Sequence, residues 1–146
     1  MEKPKYVYVS YINSTPEKVF EALTNAEFTQ QYWGGHKIES DWKQGSSVKF
    51  IKRDGNINVQ GEVVRYDPPR VLCYTWKDCD DSDEDTFVTF EIEIAHGVTK
   101  LVTTHEGFPP NSKLFPRISQ GWPAVLSGLK SLLETGKPIP LIWKCG

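Results

Sequence analysis

The chain has 146 residues, 38% hydrophobic and 25% charged, with 17 Lys and Arg against 19 Asp and Glu for a net charge of −2. That is the make-up of a single globular domain, 1–146, long enough to bury about two-thirds of its unfolded surface. No basic excess exists to neutralise phosphates, so no nucleic-acid partner is expected, and no apolar run nears the roughly 20 residues that span a bilayer.

Met1 to Lys5 lacks the apolar core of a signal peptide, which gives the expectation of a cytoplasmic protein. Tyr6 to Ile12, rich in aromatic and β-branched residues, reads as a strand. Ser14 or Thr15 caps a helix whose apolar stripe is Val19, Phe20 and Leu23; Ser14 and Glu17 spell a capping box, and Pro16 sits where the first turn tolerates it. Asn25 caps a second short helix through Phe28 and Tyr32, ended by Trp33-Gly34-Gly35. Strands follow at His36–Trp42, Ser47–Lys52 and Ile57–Tyr66, with Asp54-Gly55 as the hairpin signal between the last two. Both Val63/Arg65 and Val64/Tyr66 are plausible inward sets on Ile57–Tyr66.

Asp67-Pro68-Pro69-Arg70 is a turn, because proline cannot donate to a central ladder. Val71–Trp76 resumes the β pattern. In Phe87–Ile94, Val88, Phe90, Ile92 and Ile94 share one face; His96-Gly97 turns the chain into Thr99–His105. The sum is about seven strands, those after the two short helices joined by turns and read as antiparallel. A long helix near Ser119–Thr135 closes the chain, with Trp122, Val125/Leu126, Leu129 and Leu132/Leu133 as its stripe. Pro123 predicts a kink or a fresh start there, and Gly136 a left-handed cap. The apolar tail Ile139 to Trp143 would pack back on the domain or meet a partner.

The acidic run Asp78, Asp80, Asp81, Asp83, Glu84 and Asp85 fits no calcium-loop register: from Asp81, Thr86 stands where glycine is needed and Ile92 where the bidentate glutamate belongs. It reads as a solvated hairpin loop. Among His36, His96 and His105, no helical pair and no cysteine partner makes a zinc site, so neither metal nor cofactor is expected. The cysteines Cys73, Cys79 and Cys145 are odd in number with no CxxC, as in a reducing compartment, and Cys73 mid-strand reads as a small buried hydrophobe. His105 shares a strand face with Leu101 and Thr103; on a concave face it points into the interior, where burial lowers its pKa and keeps it neutral.

No nucleophile motif or phosphate loop is present. What remains is apolar shape, either a filled core or a ligand cavity under the long helix. The candidate ligand-lining residues are Phe20, Leu23, Trp33, Phe50, Tyr74, Trp76, Phe90, Leu101, Thr103, His105, Trp122, Leu126 and Leu129. A cyclase-type enzyme would need a polar dyad, for which Glu62 and His105 are the pair to nominate.

The order of Thr-Pro-Glu-Lys-Val-Phe-Glu-Ala-Leu-Thr (15–24), Trp33-Gly34, Gly61-Glu62-Val63, Asp67-Pro68-Pro69-Arg70, Tyr74-Thr75-Trp76, Thr103 to Phe108, Gly121-Trp122 and Leu129 to Gly136 resembles the START-like (SRPBCC) superfamily. Within it, the chain is similar to the family homologous to the C-terminal domain of the activator of heat-shock-protein-90 ATPase, over residues 5–137. The resemblance implies an α+β helix-grip fold, a bent antiparallel sheet around the long C-terminal helix with two short helices after the first strand. It also implies a small hydrophobic ligand (lipid, sterol or polyketide-like), as superfamily members bind; a few are cyclases or hydrolases. A chaperone partner, with a part in the stress response, is the other implied role. The second domain with which the eukaryotic activator grasps its chaperone is not expected within this length. A monomer or weak dimer is expected.

Overall fold

The computed structural model describes residues 4–78 and 85–141. The elements run β1 (Tyr6–Ile12), α1 (Pro16–Thr24), α2 (Ala26–Tyr32), β2 (Lys37–Ser40), β3 (Ser47–Ile51), β4 (Ile57–Asp67), β5 (Val71–Asp78), β6 (Thr86–Ala95), β7 (Val98–Glu106) and α3 (Leu114–Thr135). The seven strands form one antiparallel sheet in the order β1-β7-β6-β5-β4-β3-β2, so α1 and α2 are inserted where β1 leaves one edge for the other. This is the α+β helix-grip arrangement: a bent sheet whose hollow face holds α3.

Local chemistry fixes the small helices. Thr15, not Ser14, is the N-cap of α1, its Oγ1 accepting the Lys18 N–H at 3.2 Å. The Ser14–Glu17 box is therefore not formed, and the Ser14 carbonyl accepts the Thr99 hydroxyl instead, at 2.6 Å. Asn25 caps α2 through the Glu27 N–H at 2.9 Å, and the buried Tyr32 hydroxyl donates to the Ala22 carbonyl at 2.6 Å, locking the elbow. Gly128 on α3 lets the helix approach α2, since a Cβ there would stand 3.2 Å from Tyr32 Cβ.

The bend of the sheet comes from irregular strands. A shift of register between Val63 and Arg65 leaves Val64 unpaired across from β5, and such bulges bend a strand and raise its twist. It also settles the parity: Val63 turns inward, Val64 and Arg65 are exposed at the bulge, and Tyr66 returns to the inner face opposite Leu72, its half-covered ring 5.5 Å from that of Phe20. Gly61, two residues earlier, is required by the close approach of β5. A Cβ there would fall 1.7 Å from the Thr75 carbonyl oxygen.

Three other expectations need correction. Ile94 is 71% exposed, because it lies at the β6–β7 turn beyond the reach of the covering helices. Asp78 ends β5 as a buried residue rather than starting a loop; residues 79–84, and Cys79 and Cys145 with them, lie outside the described residues. Cys73 is half-buried and accepts the Thr89 hydroxyl at 3.4 Å.

Helix α3 starts at Leu114, five residues before Ser119, and runs unbroken over 22 residues through Pro123. Pro116 lies in the first turn, where a missing N–H costs nothing, and Ser112 Oγ accepts the N–H groups of Leu114 and Phe115 at 3.1 and 3.2 Å. Mid-helix, Pro123 costs about 3 kcal/mol. Burial of the neighbouring Trp122, worth about 4–6 kcal/mol for 150–250 Å² of aromatic surface, offsets it. At the far end Gly136 takes φ 86° and its N–H reaches the Leu132 carbonyl, while Lys130 Nζ donates to the Tyr11 carbonyl and to Glu134 (both 2.6 Å) and Glu134 accepts the Asn13 N–H (2.8 Å), tying α3 to edge strand β1. In the tail, Ile139 and Leu141 are 41% and 40% exposed; Ile142 and Trp143 lie outside the described residues.

Candidate functional site

The hydrophobic core occupies the hollow of the sheet, yet the first half of α3 does not fill it. Between Leu114–Val125 of the helix and strands β3, β4 and β5 lies a cavity of about 280 Å³. Its wall is aromatic: Trp33 follows α2, Phe50 comes from β3, Trp76 from β5 and Trp122 from α3. Trp33 meets Phe50 and Trp122 edge to face, both at 5.3 Å, and Trp76 meets Phe50 edge to face at 4.9 Å and Trp122 at a tilt at 5.8 Å. Val59, Val125, Leu114 and Ile118 complete the apolar part. Gly121 also lines it, and a Cβ placed there meets nothing within 4 Å, so this glycine leaves room rather than relieving a clash.

The remaining lining side chains, His36, Asn58, Asp78 and Arg117, are polar. His36 Nδ1 lies 2.8 Å from the Trp33 carbonyl and must carry a proton to bond it; Nε2 is then an acceptor, met by Asn58 Nδ2 at 3.1 Å. Burial lowers the His36 pKa, partly opposed by the bond to Trp33 and reinforced by Lys52. Asp78 is 3% exposed at its side chain and holds Arg117 Nη2 at 3.0 Å. A carboxylate so buried needs that partner to offset its desolvation.

Behind the wall, the polar chemistry closes on itself. Trp122 Nε1 is a donor only and lies 3.1 Å from His105 Nδ1, so Nδ1 is bare and Nε2 carries the proton. Nε2 donates to Thr86 Oγ1 at 2.7 Å, and that hydroxyl donates to the Trp76 carbonyl at 3.0 Å. Burial pushes the His105 pKa down to about 3. By contrast, three buried atoms have no partner among the described residues: Tyr74 Oη, Trp76 Nε1 and Thr103 Oγ1. Each such group costs about 1–3 kcal/mol, and Trp76 is the one whose side chain lines the cavity.

Of the residues nominated from the sequence, Trp33, Phe50, Trp76 and Trp122 stand on the cavity wall. Phe20, Leu23, Tyr74, Phe90, Leu101, Thr103, His105, Leu126 and Leu129 are buried in the core away from it. His105 does turn to the concave side as expected, but its ring packs against Trp76 and Phe108 at 5.2 and 4.6 Å, with both nitrogens bonded. Glu62 is exposed on β4 while His105 is fully buried, so the proposed dyad is not assembled. The sequence reading missed His36, Asn58, Asp78, Arg117 and Gly121. Arg117 was legible only to a reader who extended α3 back through Pro116.

The model of the family described as Activator of Hsp90 ATPase homolog 1-like protein matches residues 13–134. The chain belongs to this family, and with it to the START-like superfamily. Comparison with the curated proteins finds no match. Among solved structures, the solution structure of the Aha1 dimer from Colwellia psychrerythraea has 22% identity and TM-score 0.77, covering 92% of this chain and 98% of that one. An HSP90 activator from Plasmodium falciparum has 23% identity and TM-score 0.74, with coverages of 88% and 95%. DynU16, a putative protein in the dynemicin biosynthetic locus, has 20% identity and TM-score 0.75, with 92% of this chain on 48% of that one. These likenesses show the fold. No helix among the described residues is long and apolar enough to cross a membrane, and no group of three or more His, Cys, Asp or Glu among them could hold a metal ion.

Proposed function

We propose that this protein binds a small hydrophobic or aromatic ligand in the cavity under the first half of α3. The observation that carries the reading is a preformed hollow with four interlocked aromatic walls and a polar set at His36, Asn58, Asp78 and Arg117. Binding sites are concave and mostly apolar, with a few placed polar groups, and run from about 300 to 1,000 Å³. At about 280 Å³ this one suits a compound of two or three rings better than a sterol or a whole lipid. Titrating the isotope-labelled protein with small aromatic compounds tests it. Shifts at Trp33, Val59, Trp76, Ile118 and Trp122 are expected, and the variant Gly121→Leu, which grows a side chain into the open space, abolishes them.

The family supports a second reading, regulation of a chaperone ATPase through the surface, the role of the similar HSP90 activator from Plasmodium falciparum. Such a role needs no cavity. Recovery of the chaperone from a lysate together with stimulated ATP hydrolysis would support it, and a Gly121→Leu variant that stimulates as well as wild type would separate it from ligand binding. Either role fits a cytoplasmic protein, monomeric or weakly dimeric.

A further inference from the structure

The two edges of the sheet are guarded unequally. β2 has four residues, and its Lys37 and Glu39 side chains stand exposed; short length and charge are how an edge is kept from pairing with another chain. β1, at the opposite edge, has seven residues, Tyr-Val-Tyr-Val-Ser-Tyr-Ile, with no charge, no proline and an unbroken register against β7. Val7, Val9 and Tyr11 are exposed on its outer face. Along an antiparallel strand the backbone groups face the two sides in alternation. The Tyr11 carbonyl accepts from Lys130 Nζ and the Asn13 N–H donates to Glu134, so the odd-numbered residues face the free edge. α3 therefore covers that edge at 11 and 13, and leaves the N–H and C=O groups of Val7 and Val9 without a partner among the described residues. The inner face shows the same boundary: Ser10 and Ile12 are buried, Tyr6 and Tyr8 only half-buried.

We propose that the uncovered half of β1 is the seam of a two-fold homodimer, the β1 strands of two copies running antiparallel so that the two sheets become continuous. The free groups lie symmetrically about Tyr8, so Val7 of each copy stands opposite Val9 of the other, each such pair exchanging two N–H···O=C bonds. A second copy is the occupant because a two-fold pairing makes every contact twice, here between uncharged β-branched side chains. Lys5, the nearest charge, falls opposite Tyr11 and not opposite itself. One strand wide and roughly 17 Å long from Tyr6 to Ser10, the seam buries less than the roughly 800 Å² per partner of a standard interface, so the dimer is weak and forms at high concentration. β1 gives no residue to the cavity wall, so the seam is independent of what the cavity binds.

The test is amide hydrogen exchange of the full chain at about 10 μM and about 1 mM, on either side of the Kd of a weak interface, with sedimentation velocity on the same samples. The Val7 and Val9 amides are expected to exchange at least about ten-fold more slowly at the higher concentration, while those of Tyr8 and Ser10, which face β7, are protected equally at both. Val9→Pro removes an edge-facing N–H and no bond to β7, so it is expected to fold and to stay monomeric. Should the proline disturb β1, the double variant Val7→Lys, Val9→Lys gives the same result by setting ammonium groups opposite one another. A chain that is monomeric at the higher concentration would overturn the proposal and leave the edge to a strand of another protein. A dimer whose Val7 and Val9 amides exchange alike at both concentrations, or one that persists undiminished in either folded variant, would overturn it by placing the contact on another surface.

Discussion

The space beneath α3 has two ends made of the same kinds of residue, and they finish differently. Toward β6 and β7, the hydrogen-bond run from Trp122 through His105 and Thr86 to the Trp76 carbonyl is continuous, and the rings of Phe108 and Trp76 pack against the imidazole. Toward β3 and β4, Gly121 withholds a side chain, the Trp76 N–H has no partner among the described residues, and about 280 Å³ stays open beside polar groups. Trp122 belongs to both, one edge bonded to His105 and its ring on the cavity wall. Buried polar groups that are fully satisfied rigidify a core. The closed end therefore holds the wall of the open end in place, with His105 positioning Trp122 through its bond to the indole N–H.

Removing the shared wall should do the most damage. Trp122→Ala is expected to destabilise by about 3–5 kcal/mol, read as a lower urea midpoint with a similar slope. Acid attacks the closed end through His105. Between pH 6.5, the ordinary histidine value, and about 3, where His105 titrates in the fold, the unfolded chain takes up a proton that the native chain refuses. Stability thus falls as pH drops below 6.5, by about 2 kcal/mol from His105 between pH 7 and pH 5, and His36, lowered in the same direction, adds to it. His105→Gln should flatten that slope; a slope unchanged in the variant would place the acid sensitivity elsewhere. Trp122→Phe keeps the ring bulk but orphans His105 Nδ1, at about 1–3 kcal/mol, seen in the same melts. Smallest is Gly121→Ala at the open end, which should stabilise by about 0.5–1 kcal/mol through helix propensity, because the added methyl meets open space.

How far these two ends were legible in the sequence follows from what fixes them. Period-2 and helical patterns depend on neighbours in the chain, so Tyr6–Ile12 was read to the residue, and Leu101, Thr103 and His105 were placed on one buried face. The aromatic wall followed because Trp33, Phe50, Trp76 and Trp122 each sit on the apolar side of their own element. The polar residues did not follow. His36, Asn58, Asp78 and Arg117 come together only when strands distant in sequence pair and α3 begins before Pro116, a helix start that proline-rich flanks disguise. The role of His105 was misjudged for the same reason: its partners Trp122 and Thr86 stand 17 and 19 residues away. Pro123 misled in the other direction, since a local cost of about 3 kcal/mol is outweighed by packing that no local pattern displays.

The contrast between ends is tested most directly by one titration of methyl- and tryptophan-labelled protein with 2-naphthol, repeated in Gly121→Leu. Shifts confined to Trp33, Trp76, Trp122, Val59, Ile118 and Val125 in wild type, and absent from the variant, are the predicted result. Shifts centred on Leu101, Leu126 and Leu129, or the same shifts in Gly121→Leu as in wild type, would contradict it.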